Sequence, residues 1–148
     1  MIINSYPFFF SKIFGIEYFT SFVVVVLAFL IAFFFVVFFL KDFFLKIGLI
    51  DQKQYQSDRF RVGKVLNPSL RYKRFSVFQK LSDLGTDGEE LAELLWDAWK
   101  YGRNKVFHYF PGNTKNISMK EAEKTMNTVI KAIIMAGKFL EDTQNHKY

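Results

Sequence analysis

The chain has 148 residues and a formal net charge of +6, enough length for one small domain plus an anchoring segment. It has no cysteine, which excludes a disulfide-stapled scaffold and a thiolate metal site. Apolar residues make up 51% of it, and they are concentrated near the N-terminus.

Residues 1–18 contain Pro7-Phe8-Phe9-Phe10 and Ile13-Phe14, read as a short extracytoplasmic, interfacial segment with its rings at headgroup depth. Residues 19–40 contain no charge, and all but Thr20, Ser21, Ala28 and Ala32 are Phe, Val, Leu or Ile. As a helix they reach about 33 Å, which matches a hydrocarbon core of roughly 30 Å. A buried core helix or an amphipathic surface helix would show polar positions. A cleaved signal peptide would have a shorter apolar stretch and a small-residue cleavage site. The expectation is one transmembrane helix over 19–40. Lys41, Lys46, Lys53, Arg59 and Arg61 follow it, whereas only Lys12 precedes it. That asymmetry favours a single-pass protein of the inner (cytoplasmic) membrane, N-terminus out and C-terminal domain cytoplasmic.

Residues 41–66 read as a basic juxtamembrane linker held near the inner interface by Phe43, Phe44, Leu45, Ile47, Leu49 and Ile50. From Lys41 to Phe75, nine basic residues stand against Asp42, Asp51 and Asp58, an excess equal to the charge of the whole chain. Such a stretch sets topology, attracts anionic membrane lipids, or neutralises RNA phosphates. Charge alone does not choose among these.

Residues 67–148 read as an all-α antiparallel bundle. A first helix is expected from Asn67-Pro68 to Gly85, with Phe75, Phe78, Leu81 and Leu84 at three-residue spacing. A second opens with the capping-box pattern Thr86-Asp87-Gly88-Glu89, buries Leu91, Leu94, Leu95, Ala98 and Trp99, and reaches Tyr101-Gly102. Trp96 and Trp99 read as core, dimer-seam or membrane contacts rather than base-stacking platforms. A third opens with a second capping-box pattern, Ser118-Met119-Lys120-Glu121, and runs to about Thr143. Its expected stripe is Met119, Ala122, Met126, Val129, Ile130, Ile133 and Leu140. So small a bundle has a thin core, and a homodimer would add buried area.

Between the second and third helices lies Arg103-Asn104-Lys105-Val106-Phe107-His108-Tyr109-Phe110-Pro111. Asn104 and His108 are four apart and share a face on a continuing helix; Arg103 is about 140° from His108. Pro111 disfavours helix at Phe110, so His108 is expected in a last helical turn, where the helix C-terminus favours its imidazolium. A structural role is open as well, with Arg103 paired to a carboxylate such as Glu141 and His108 a satisfied loop residue.

Arg103-Asn104, three residues, then His108, placed between two helices of a small bundle, resembles the R-N-x-x-x-H motif of HEPN (higher eukaryotes and prokaryotes nucleotide-binding) domains. Many of these are metal-independent endoribonucleases of toxin–antitoxin, abortive-infection and other antiviral systems. The resemblance implies that Arg103 stabilises charge on the scissile phosphate, His108 acts as general base or acid, and Asn104 orients the histidine or the phosphate. It also implies two protomers facing each other across one cleft, and a 2′,3′-cyclic phosphate product. Lys100, Lys105 and Tyr109 are candidate RNA contacts. No cofactor or metal is expected, since His108, with His146 in the polar tail, and no cysteine make a poor ligand set. One family branch carries His-x-Tyr, whose tyrosine is modified by a partner enzyme; here His108-Tyr109-Phe110 puts tyrosine one place early.

The activity so implied is that of a membrane-anchored ribonuclease toxin or antiviral effector, held in check or triggered by a separately encoded sensor or antitoxin. Two alternatives remain at this point: a non-catalytic membrane-anchored adaptor that recruits a partner, and toxicity by membrane perturbation.

Overall fold

A computed structural model describes residues 34–102 and 118–146, together with 23, 26, 27 and 30–32. Every described element is helical. A π-helical stretch, Phe35–Phe39, leads directly into α1 (Leu40–Lys46). Aromatic rings four apart stack along this run: Phe35 on Phe39 at 5.6 Å between centroids, then Phe39 on Phe43 at 5.9 Å.

The expectation of a transmembrane helix needs correcting, because no helix among the described residues is long and apolar enough to cross a membrane. Part of the apolar run is packed against the rest of the protein. Ala32, Phe35, Leu40, Phe43 and Phe44 are buried, and the last four share one core with Leu81, Leu95 and Val129. Hydropathy along a sequence weighs every apolar side chain alike. It does not separate those that meet protein from those that face outward.

Residues 41–66, expected as a linker, fold onto the same core through Leu49, Ile50, Val65 and Leu66. α2 (Gln52–Gln56) opens with a reciprocal capping box. The Gln54 N–H donates to Asp51 Oδ1 at 2.7 Å, and the Asp51 N–H donates to Gln54 Oε1 at 3.0 Å. The Tyr55 hydroxyl donates to Asp42 Oδ1 at 2.5 Å and ties α2 to α1. Lys41 lies over the Tyr55 and Phe60 rings at 5.2 and 5.5 Å. α3 (Val62–Val65) follows, and its Gly63 lies against the indole of Trp99.

Asn67-Pro68 opens only a 3₁₀ turn, Pro68–Leu70, not the expected long helix. The Asn67 side chain accepts from the Ser69 N–H and turns the chain. The helix itself, α4 (Val77–Ser82), starts after Ser76, whose hydroxyl accepts from the Gln79 N–H at 3.1 Å. Its buried face is Val77, Phe78 and Leu81; Leu84, expected in the core, is 55% exposed. Lys80 Nζ donates to the Leu49 carbonyl at 3.0 Å and fastens α4 to the turn after α1.

α5 (Thr86–Lys100) is capped by Gly85 at φ +114°, a backbone conformation open to glycine, so the expected capping box over 86–89 does not form. Its buried face is Leu91, Ala92, Leu95, Ala98 and Trp99, close to expectation. Trp99 stacks on Trp96 at 5.2 Å, which fits the reading of both as packing residues. α6 (Met119–Asn145) does open with the expected box: the Ser118 hydroxyl accepts from the Glu121 N–H, and Glu121 Oε2 accepts from the Ser118 N–H. Its fully buried positions are Ala122, Thr125, Val129, Ala132 and Ala136, whereas Ile130 is exposed.

Candidate functional site

Arg103, Asn104 and His108, with Lys105 and Tyr109, lie outside the described residues. The two helix ends that flank them are described. Thr86 and Asp87 line a cleft with Asp142 and His146, while Tyr101 lines another with Lys120 and Lys124, so α5 and α6 run antiparallel. The 103–117 connection therefore leaves α5 and rejoins α6 at the same end of the pair.

At that end Gly102 is buried. A Cβ there would lie 3.2 Å from Ala32 Cβ and 4.0 Å from Val129 Cγ2. The residue before Arg103 thus lies between Ala32 and Val129 of α6, where an added Cβ would make a tight contact with Ala32. Tyr101 and Gly102 are π-helical, a local widening that recurs at functional positions.

Lys100, a candidate RNA contact, pairs with Asp97 at 3.4 Å and lies 5.2 Å from the Tyr101 ring centroid. Both partners are nearly half exposed, so the pair contributes about 0–1 kcal/mol and leaves Lys100 able to exchange partners. Lys124 approaches the same ring at 5.6 Å from α6. An open cleft of about 670 Å³ adjoins this corner, with Asp97, Tyr101, Lys120, Lys124, Asn127 and Lys131 among its lining. Glu123 also lines it, so Lys120, Lys124 and Lys131 stand against two carboxylates, Asp97 and Glu123, and the cleft keeps a positive excess of one charge.

Lys120, Lys124 and Lys131 were not among the residues singled out from sequence. Their signal was the spacing of four and seven along a capped helix, which puts them on one face. The cleft at the far end is different, with Asp87, Asp142 and His146 among its lining. Among the described residues, no group of three or more His, Asp or Glu side chains is arranged to hold a metal ion.

Comparison with protein-family models, curated proteins and solved structures finds no match for this chain.

Proposed function

We propose that the protein is a HEPN-type, metal-independent endoribonuclease acting as a toxin or antiviral (abortive-infection) effector. What supports this reading is the sequence motif Arg103-Asn104-x-x-x-His108, which follows Gly102 in the chain between α5 and α6. The described cleft nearest in sequence is lined by Tyr101 with Lys120, Lys124 and Lys131, and by Asp97 and Glu123. The lysines hold the RNA backbone by neutralising phosphates. The ribose 2′-oxygen attacks the adjacent phosphorus as His108 of one protomer removes its proton. His108 of a second protomer protonates the departing 5′-oxygen, and Arg103 stabilises the charge on the phosphoryl oxygens. A homodimer thus supplies both proton transfers, and the product is a 2′,3′-cyclic phosphate. A separately encoded sensor or antitoxin governs when the enzyme is active.

Induced expression in cells tests the reading. Growth arrest and RNA loss are expected from the wild type and absent for Arg103→Ala or His108→Ala at equal protein level. Full toxicity of both variants would show that the activity lies elsewhere in the chain, in partner recruitment or membrane perturbation.

A further inference from the structure

We infer that the exposed face of the N-terminal apolar helix lies in the plane of an anionic phospholipid surface, with the basic segment that follows it on the headgroups. Val23, Val26, Leu27, Leu30, Phe34 and Phe38 are all exposed, from 37% at Val23 to 58% at Phe34. Positions 23, 27, 30, 34 and 38 recur at three or four residues, and Val26 lies three after Val23, which places all six on one helical face. The Phe34 and Phe38 rings lie 5.7 Å apart on that face. Ala32 and Phe35 are buried on the other side, against the protein. A continuous outward stripe of six large apolar side chains exceeds the scattered exposure of an ordinary surface and marks a docking site.

The charge of the adjoining segment identifies the occupant. Lys46, Lys53, Arg59, Arg61, Lys64, Lys73 and Arg74 are all exposed, within the stretch that carries an excess equal to the protein's net charge of +6. Arg59, Arg61 and Lys64 line a small cleft of about 240 Å³ floored by Phe60 and Phe75, and no carboxylate lines it. That cleft accepts a phosphate ester. A second copy docked through the stripe would bring two such cationic segments together, at a cost in like-charge repulsion. An RNA would satisfy the cations but leave the phenylalanines in water. An anionic bilayer meets both requirements: apolar side chains enter the acyl boundary by about 5–10 Å while Lys and Arg meet lipid phosphates.

The test is co-sedimentation of the purified full-length chain with vesicles of phosphatidylcholine alone or mixed with phosphatidylglycerol. Binding to the mixed vesicles is expected to be about tenfold tighter or more, to weaken with salt, and to be reversed by an alkaline carbonate wash. Phe34→Ser with Phe38→Ser should abolish binding to both kinds of vesicle. Arg59→Glu with Arg61→Glu and Lys64→Glu should remove only the preference for the anionic ones. Circular dichroism and the thermal midpoint establish that each variant is folded. Three results would overturn the inference: vesicle binding unchanged by the serine pair, resistance to carbonate, or no vesicle binding by a wild type that self-associates through Phe34 and Phe38.

Discussion

Gly102 and Ala32 meet so closely that a methyl group on the glycine would lie 3.2 Å from the alanine's own. The contact joins the apolar N-terminal helix to the residue from which the Arg103-Asn104-x-x-x-His108 motif departs. Gly102→Val should overpack this junction and destabilise the fold by about 1–3 kcal/mol. Ala32→Gly in the same chain should recover part of the loss. A denaturant double-mutant cycle measures the coupling, and strict additivity would mean that the two positions do not touch.

Gly63 and Gly88 are tight for other reasons. A Cβ on Gly63 would clash with Cζ2 of Trp99, and one on Gly88 would clash with the Leu81 carbonyl oxygen. Gly63→Ala should displace the indole, shift the tryptophan emission and cost about 1–3 kcal/mol. Gly88→Ala pushes against backbone rather than a side chain, so α4 and α5 must separate. It should cost more than Gly63→Ala in the same urea titration.

The Ser118–Glu121 capping box fixes the start of α6, where the connection carrying the motif rejoins the bundle. Ser118→Ala should lower stability by about 1 kcal/mol and speed amide exchange in the first turn of α6. Ser118→Asp, which retains an acceptor at the cap, should restore most of it.

Tyr55 donates its phenolic proton to Asp42, and that hydrogen bond holds its pKa above the ordinary phenol value of 10.0. A group whose pKa is raised by folding contributes its full stabilisation below the unfolded value and loses it as pH rises through the folded one. The α1–α2 tie is therefore complete at neutral pH and released only in strong alkali. Spectrophotometric titration should show one tyrosine ionising late, and Asp42→Asn should return it toward its neighbours.

Some signals confined to one turn of chain were legible in the sequence, although the Thr86–Glu89 capping pattern was not realised because Gly85 takes the cap position. Ser118 and Glu121 announced a cap that forms, and Gly85 marked a helix boundary. Signals that depend on a partner element were not. Asn67-Pro68 has the chemistry of a helix start but yields a single 3₁₀ turn, because Ser76 caps the real helix nine residues later. The face of α6 that packs has Ala122, Val129, Ala132 and Ala136 buried, with Ile133 and Leu140 partly buried against the core, whereas Ile130 faces outward. The apolar run over 19–40 was read as spanning because its sequence does not reveal that Ala32 and Phe35 face protein. At the candidate site the motif and the lysine spacing along α6 were legible as patterns, whereas the cleft those lysines share with Asp97 and Tyr101 exists only where α5 and α6 lie side by side.

The central claim is tested most directly by incubating the purified full-length protein with total cellular RNA in excess EDTA and analysing the ends. The expected result is cleavage that survives chelation, leaves 2′,3′-cyclic phosphates, and disappears in folded Arg103→Ala and His108→Ala proteins. Intact RNA after incubation with a folded wild-type dimer, or undiminished cutting by the His108→Ala protein, would contradict it.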